Sequence, residues 1–247
     1  MTIPTPLKRL AKSLLPASVL NRHRARKVIE EERANFGGTL QETFSKIYSE
    51  ELWGSSDTGF FSGFGSHEEA VIAPYVAAVR SFVCDLRPYL NAVDLGCGDF
   101  NIGRQIRDMF VGYTGCDIVA DLVTDNRRRY ADLDVDFRVI DIVADPLPPG
   151  DVVFVRQVLQ HLSNDDIRAV LAKIGTYEYA IVTDHLPRIE SFKSNVDKPS
   201  GAHTRVNFGS GIVLTEPPFA LMPLSQQVLC EVPDTDGVKR TIAYKLR

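Results

Sequence analysis

The 247-residue sequence contains no run of about 18 consecutive apolar residues, so it predicts no membrane-spanning helix. Its first 20 residues also lack a long apolar segment and a small-residue cleavage site, and no secretory signal is predicted. The four cysteines are scattered and contain no C-x-x-C pair, which argues against a disulfide framework or a zinc site. Together these absences predict a protein of the reducing cytoplasm.

Most of the chain also lacks an excess of positive charge. The formal net charge is −4, although residues 1–35 carry eight lysines and arginines against three glutamates, so the remaining residues are acidic. An acidic body argues against nucleic acid as the main substrate. The apolar fraction of 44% and the charged fraction of 24% are those of an ordinary globular protein. The length allows one large α/β domain or two small ones, and a full core can be buried.

The basic arm over residues 1–35 has two interpretations. Its basic clusters alternate with leucines, and Pro16 limits any continuous helix. The arm could lie on an anionic membrane surface as an amphipathic element. It could instead be a solvated helix that packs on its own domain or on a second subunit of a homo-oligomer. The second interpretation is favoured because the apolar face is short.

The stretch Asn91–Gly103 organises the rest of the chain. An apolar run over 92–95 ends at Gly96 and Gly98, and a helix is predicted from near Phe100. This order of strand, tight turn and helix suits a nucleotide-like ligand at the carboxyl end of a parallel strand. The two glycines allow backbone conformations closed to other residues and let a ligand approach without meeting a Cβ atom.

Acidic residues mark the ends of the strands that follow. The second predicted strand ends at Asp117 and the third, residues 136–140, is followed directly by Asp141. Asp117 lies about 20 residues beyond the glycines, where a carboxylate that accepts hydrogen bonds from ribose hydroxyls is expected. Its alternative role is to cap a helix over 119–130. With Asp94, two residues before the first glycine, three acids lie in or directly after successive strands.

The segment Val93–Gly98, which reads Val-Asp-Leu-Gly-Cys-Gly, resembles the first motif of class I S-adenosylmethionine-dependent methyltransferases. The resemblance covers about residues 66–247 and implies S-adenosylmethionine as cofactor. It implies a Rossmann-like, doubly wound α/β sheet of seven strands, which ends in an antiparallel hairpin over 226–232 and 239–246. It further implies that Asp141 holds the adenine amino group. The residues expected around the cofactor are Asp94, Gly96, Cys97, Gly98, Asp117, Ile118, Asp141, Ile142, Arg156 and Gln157.

The part of the chain before that domain, residues 1–65, consists of the basic arm and an aromatic segment over 36–65. This aromatic segment contains Tyr48 and Trp53 among glycines and serines. It is predicted either to close over the cofactor as a lid or to supply aromatic residues to the core. An S-x-x-E capping pattern then predicts a helix over 66–87.

Two histidines are candidates for the general base of methyl transfer. His161 follows the fourth predicted strand, residues 151–155, and His185 follows the fifth, residues 179–184. A hydroxyl loses its proton as it attacks a sulfonium methyl, and an imidazole with a pKa near neutrality suits that step. Asp184 is a third candidate for the catalytic site. The alternative for His161 is that it only packs or caps, as in similar His-Leu and His-Val segments of the family.

A polar stretch over 186–225 is too long for a simple connection between strands, and we interpret it as a substrate-recognition insertion. Its hydrogen-bonding side chains suit a polyhydroxylated acceptor such as a saccharide. Asp184 and Asp197 are the residues that would hold a divalent cation such as Mg²⁺, if the reaction uses one. The residues expected to contact the acceptor are Tyr48, Trp53, Asn195, His203 and Arg205.

The sequence therefore predicts an O-methyltransferase that acts on a hydroxyl of a small polar acceptor, with a saccharide as the preferred class. A bacterial branch often associated with saccharide-modifying clusters is also similar in three short segments, which are Trp53-Gly54, Arg156–Ser163 and Pro217-Pro218-Phe219. N-methylation of a small molecule and a non-catalytic adenosyl-binding module are the alternatives. A nicotinamide-dependent oxidoreductase is least favoured, because Asn101 stands where the third glycine of a dinucleotide turn is expected.

Overall fold

The computed structural model describes residues 17–57, 59–188 and 192–247, with side chains from residue 24 onward. The helices in these residues are α1 (Ala17–Asn35), α2 (Leu40–Ser49), α3 (Glu69–Cys84), α4 (Ala120–Arg129) and α5 (Asn164–Ile174). The strands are β1 (Asn91–Leu95), β2 (Gly112–Asp117), β3 (Asp136–Val139), β4 (Val152–Arg156), β5 (Tyr179–Pro187), β6 (Ser225–Pro233) and β7 (Gly237–Lys245). None of the described helices is long and apolar enough to cross a membrane.

The seven strands form one sheet in the order β3-β2-β1-β4-β5-β7-β6. Strands β1 to β5 are parallel, whereas β7 runs antiparallel to both β5 and β6. The order reverses direction between β1 and β4, which creates a crevice at the carboxyl ends of these strands. The predicted doubly wound sheet of seven strands and its C-terminal hairpin are confirmed.

Two hydrophobic cores cover the two faces of the sheet. Val93 and Val153 point toward α5, in a core that also contains Ile167 and Val170 of that helix. Residues one position away along the strands point to the other face, where Phe154 joins the core packed on α3. Because the central strands are buried on both faces, polar side chains are confined to the strand ends, where the crevice lies.

The predicted helix from near Phe100 does not form. Phe100 has a φ angle of +60° and its ring is fully buried, so its backbone is not helical. Two short 3₁₀ turns, Gly103–Gln105 and Arg107–Met109, follow in place of a helix. The connection from β1 to β2 thus consists of these short turns, and the buried Phe100 ring packs against it at Gly103.

The predicted capping role of Ser66 is also wrong. A 3₁₀ turn over Phe64–Ser66 precedes α3, which begins at Glu69 and has no side-chain cap. The Ser66 hydroxyl instead accepts a hydrogen bond from the guanidinium of Arg156. In the basic arm, α1 begins directly after Pro16. The predictions for residues 1–16 lie outside the described residues.

Candidate active site

A cavity of about 300 Å³ opens at the carboxyl ends of β1, β2 and β4. The ten residues expected around the cofactor all line it, as do His161, His185, Tyr48 and Trp53. The residues of the sequence motifs therefore lie together around this cavity.

The glycine turn lies close to other parts of the chain. Gly96 and Gly98 have φ angles of +71° and +57°, which other residues adopt at a cost. A Cβ atom on Gly96 would overlap the Val158 side chain, and one on Gly98 would overlap Ser62. The amides of Gly96 and Cys97 both donate to the carbonyl of Cys116 at the end of β2. These contacts fix the turn against the neighbouring strand and the aromatic segment.

The three acids lie at successive strand ends but have different surroundings. Asp117 is 7% exposed and accepts hydrogen bonds from the amides of Gly98 (3.0 Å) and Val119 (3.1 Å). Asp94 accepts one from the Tyr113 hydroxyl at 3.0 Å. Burial raises the pKa of Asp94 to about 7, although the Tyr113 hydroxyl and the Arg156 charge oppose the shift. Burial likewise raises the pKa of Asp117 to about 6, although hydrogen bonds from backbone amides oppose the shift.

Asp141 lies at the third strand end and is half-buried. Its Oδ1 accepts hydrogen bonds from the amides of Val143 (2.8 Å) and Ala144 (3.2 Å). Ile118 and Ile142, which flank this strand end, line the cavity together with Ile140. This end of the cavity is therefore an apolar slot with one carboxylate at its edge.

The aromatic segment covers the glycine turn. The Asp99 carboxylate accepts hydrogen bonds from the Ser62 amide at 2.9 Å and lies 2.6 Å from His67 Nε2. The Ser62 hydroxyl in turn accepts from the Asp99 amide at 2.8 Å and lies 2.8 Å from the Tyr48 hydroxyl. Farther along, the Trp53 indole donates to the carbonyl of Ala202. The segment is thus joined to the turn at one end and to the 186–225 insertion at the other.

Both ring nitrogens of His161 lie near protein groups. Nδ1 lies 3.3 Å from the carbonyl of Gly201 and Nε2 lies 3.1 Å from Gln160 Nε2. Since a carbonyl only accepts, Nδ1 carries the proton and Nε2 accepts from the amide. The Trp53 ring lies 4.7 Å away, between ring centroids. Burial and the nearby Lys198 charge lower the pKa of His161 to about 3. His161 is therefore neutral and a poor acceptor of a further proton.

His185, on β5, faces two carboxylates of the β6–β7 turn. Its Nε2 lies 3.3 Å from Asp236 Oδ1 and 3.7 Å from Asp234 Oδ2, and it has no hydrogen-bond partner. The Lys239 ammonium donates to Asp234 from the neighbouring strand β7. Burial and the Lys239 charge lower the pKa of His185, whereas Asp236 raises it. Two carboxylates are thus available to stabilise a protonated His185.

Comparison with known proteins agrees with this geometry. A family model described as a methyltransferase domain matches residues 93–177, a range that contains the glycine turn and all three acids. Residues 93–177 are therefore similar to a methyltransferase domain, in agreement with the resemblance of the glycine motif. A comparison with curated proteins gives no match.

Solved structures share the fold of this chain at low sequence identity. A SAM-dependent methyltransferase from Leishmania major is 14% identical with a TM-score of 0.58, over 87% of this chain and 89% of that chain. The N-methyltransferase NodS from Bradyrhizobium japonicum, in complex with S-adenosylhomocysteine, is 11% identical with a TM-score of 0.57, over 82% and 98%. Human N-acetylserotonin methyltransferase, in complex with SAM, is 16% identical with a TM-score of 0.57, over 93% and 66%.

Three residues predicted to contact the acceptor do not line the cavity. Arg205 is 1% exposed, and its guanidinium donates to Asn164 and to four backbone carbonyls. Asn195 bonds the backbone of Val213 through both ends of its amide. His203 pairs with the buried Glu32 of α1. The prediction of direct acceptor contact is corrected for all three, because their polar groups hold the insertion together.

The predicted metal pair is corrected for the same reason. Asp197 Oδ1 accepts hydrogen bonds from the amides of Asn164 and Lys198, and neither it nor Asp184 lines the cavity. Asp184 is buried near Arg205, and burial raises its pKa to about 7. A cation held by these two carboxylates would not reach an acceptor in the cavity, and the same position removes Asp184 from direct catalysis.

Several cavity residues were missed by the sequence reasoning. Asp99 follows the glycine turn directly, so its position in the motif was the available signal. Asp234 and Lys239 belong to a segment interpreted only as a hairpin turn. They reach the cavity because β7 pairs antiparallel with β5 and places Lys239 opposite His185. No local pattern in the sequence specifies that register.

Replacing Arg205 by methionine should lower stability without changing cofactor affinity. The change leaves buried carbonyls without donors, and we expect a loss of about 3 kcal/mol, or a melting temperature lower by about 10 °C. Thermal unfolding with and without S-adenosylhomocysteine measures both effects. Arg168→Met on the exposed face of α5 is the control and should be neutral. A wild-type melting temperature in the Arg205 variant would contradict the structural role.

Proposed function

We propose that the enzyme methylates a hydroxyl of a small polar acceptor, with His185 as the general base. The observation that carries the proposal is the position of His185. Its ring lines the cavity, and its Nε2 faces Asp234 and Asp236. An imidazole with carboxylates beside it accepts a proton more readily, because they stabilise the cation that forms. His161, with its low pKa and engaged nitrogens, lacks this support.

The residues around the cavity fit S-adenosylmethionine along its length. Asp117 is suited to the ribose hydroxyls, since each of its oxygens retains a free lone pair beside its amide donor. Asp141 and the apolar slot suit the adenine ring. Asp94, the acid on β1, would then accept from the ammonium of the methionyl group, and Gly96 and Gly98 leave room for close approach of that group.

The bound cofactor supplies an electrophilic methyl group on a positively charged sulfur. The enzyme's own contribution is to align the acceptor with this methyl, exclude water and take the proton from the attacking oxygen. The aromatic segment serves as the lid that closes the cavity, since it joins the glycine turn to the insertion. Proton transfer to His185 Nδ1 or Nε2 would place the new positive charge beside Asp234 and Asp236.

Polar side chains on the cavity wall favour a hydroxylated acceptor. Gln160 Oε1 is buried without a hydrogen-bond partner, and Gln157, Thr204 and Lys239 also line the cavity. These groups can bond several hydroxyls, which keeps saccharides as the first class to test. The polar side chains of the 186–225 insertion do not support this choice directly, because several of them bond other groups of the protein. Amines form the second class, since their methylation requires less assistance from a base.

The test is a transfer assay with radiolabelled S-adenosylmethionine and a matched panel of acceptors. Sugars and glycosides form one arm, and amino sugars and small amines form the other. Label recovered on oxygen, with loss in His185→Ala, would support the proposal. Transfer only to nitrogen, unaffected by that variant, would overturn the assignment of O-methylation.

Affinity for S-adenosylhomocysteine should fall as the pH is lowered. Because the pKa of Asp94 is raised to about 7, this acid is ionised at pH 8 and mostly protonated at pH 6. A neutral carboxyl loses its attraction for the methionyl ammonium, and we expect the dissociation constant to rise about tenfold over this range. Calorimetric titration measures the change, and Asp94→Asn should flatten it. Equal affinity at both pH values would argue against the contact.

A further inference from the structure

Helix α1 reaches the cavity indirectly through one buried acid. Glu32 is 0% exposed and accepts hydrogen bonds from the amides of Ala202 (3.2 Å) and His203 (2.7 Å). Its carboxylate also lies 3.0 Å from His203 Nδ1. A Cβ atom on Gly201 would overlap this carboxylate, so α1 and the segment 201–203 are in close contact. Glu32 therefore fixes the outer side of the segment 201–203.

The inner side of the same segment holds two side chains of the cavity wall. The Gly201 carbonyl lies 3.3 Å from His161 Nδ1, and the Gly201 amide donates to the His161 carbonyl at 2.9 Å. The Ala202 carbonyl accepts from the Trp53 indole at 3.1 Å. Any displacement of 201–203 would thus move both rings.

We propose that Glu32 is a positioning residue that sets the wall formed by Trp53 and His161. That this wall faces the acceptor rests on the proposed function, whereas the contacts themselves do not. A carboxylate is poorly suited to serve only as an anchor, because its burial carries a desolvation cost. Val28, one turn earlier on α1, is buried and already supplies an apolar contact. The hydrogen bonds of Glu32 are directed at the backbone that supports the wall.

Electrostatics around Glu32 are consistent with a fixed position. The carboxylate raises the pKa of His203, which favours an imidazolium partner. The ammonium of Lys198, also buried, donates to the carbonyls of His161 (3.2 Å) and Pro199 (2.6 Å). Burial alone would raise the pKa of Glu32, but the hydrogen bonds from His203 and the Lys198 charge lower it. The segment 199–203 is thus held by the Glu32 carboxylate at one end and by the Lys198 side chain at the other.

The experiment uses Trp53, the single tryptophan of the chain, as a reporter in the full-length protein. Glu32→Gln retains the side-chain volume but replaces one acceptor oxygen with a donor. We expect tryptophan emission to shift to longer wavelength and quenching by acrylamide to increase, while the affinity for S-adenosylhomocysteine stays unchanged. Glu30→Gln, on the exposed face of the same helix, makes the same charge change and should leave emission at the wild-type position.

A second variant changes the other residue of the contact between Glu32 and Gly201. Gly201→Ala should produce the same emission shift, because its methyl group displaces the segment from Glu32. In a Glu32→Ala background the methyl group has space, so the Gly201 change should add little. Additive shifts in this cycle, or wild-type emission in Glu32→Gln, would overturn the proposal.

Turnover separates this inference from the proposed function. With any acceptor found in the panel, Glu32→Gln should lower kcat/KM by about tenfold, mainly through KM, since a displaced wall misplaces the acceptor. If no acceptor is methylated, the proposed function fails while the fluorescence result still tests the positioning role. A clear emission shift with an unchanged KM would show that Glu32 does not position this wall for the acceptor.

Discussion

Replacement of Asp117 by alanine should weaken binding of S-adenosylhomocysteine by roughly 100-fold, or about 3 kcal/mol. The carboxylate is 7% exposed and lines the cavity, and it is the group proposed above to accept the ribose hydroxyls. Its loss also leaves the amides of Gly98 and Val119 without an acceptor, so the glycine turn loses a support at the same time. Calorimetric titration with S-adenosylhomocysteine gives the change directly.

Two comparisons separate the ribose contact from the support of the turn. Asp117→Asn can still accept from one backbone amide, and it should bind more weakly than wild type but more tightly than the alanine variant. Asp121→Ala removes an exposed acid from the first turn of α4 and should bind like wild type. If Asp117→Ala binds within a few-fold of wild type, Asp117 serves only to hold the backbone of Gly98 and Val119, since α4 has no side-chain cap.

The cofactor end of the site was predictable because its determinants are local. A buried strand, a glycine turn and an acid at the next strand end lie within about 30 residues of one another in the unit expected for a nucleotide-binding crevice. Parallel strands then bring Asp94, Asp117 and Asp141 to the same edge of the sheet. The conformation at Phe100 was not predicted, because a buried ring in the left-handed region has no sequence signal.

The acceptor end could not be predicted in the same way. A polar residue in a long insertion can face a ligand or the backbone of its own chain, and composition does not distinguish these cases. Arg205 and Asn195 face the backbone, since the irregular loop has carbonyls and amides that no sheet or helix satisfies. Conversely, Lys239 reaches the cavity through the antiparallel pairing of β7 with β5, about 50 residues apart in sequence.

His185, the proposed general base, should have a large effect on turnover. His185→Ala should lower kcat by roughly 100-fold or more while the affinity for S-adenosylhomocysteine remains unchanged, because a positioned base contributes about that factor. Single-turnover rates with the acceptor found in the panel measure the effect. His161→Gln is the comparison. It should reduce turnover less, since a histidine with a pKa near 3 does not take up the proton.

Two charged neighbours of His185 allow a test in which the acidic limb of the kcat–pH profile should move in opposite directions. Asp236 raises the pKa of His185, so Asp236→Asn should move the acidic limb of the kcat profile to lower pH. Lys239 lowers this pKa, and Lys239→Gln also frees the Asp234 carboxylate, so the limb should move to higher pH. A base must be unprotonated to act, and its activity therefore rises through its own pKa. Shifts in the same direction, or no shift in either variant, would show that another group takes the proton.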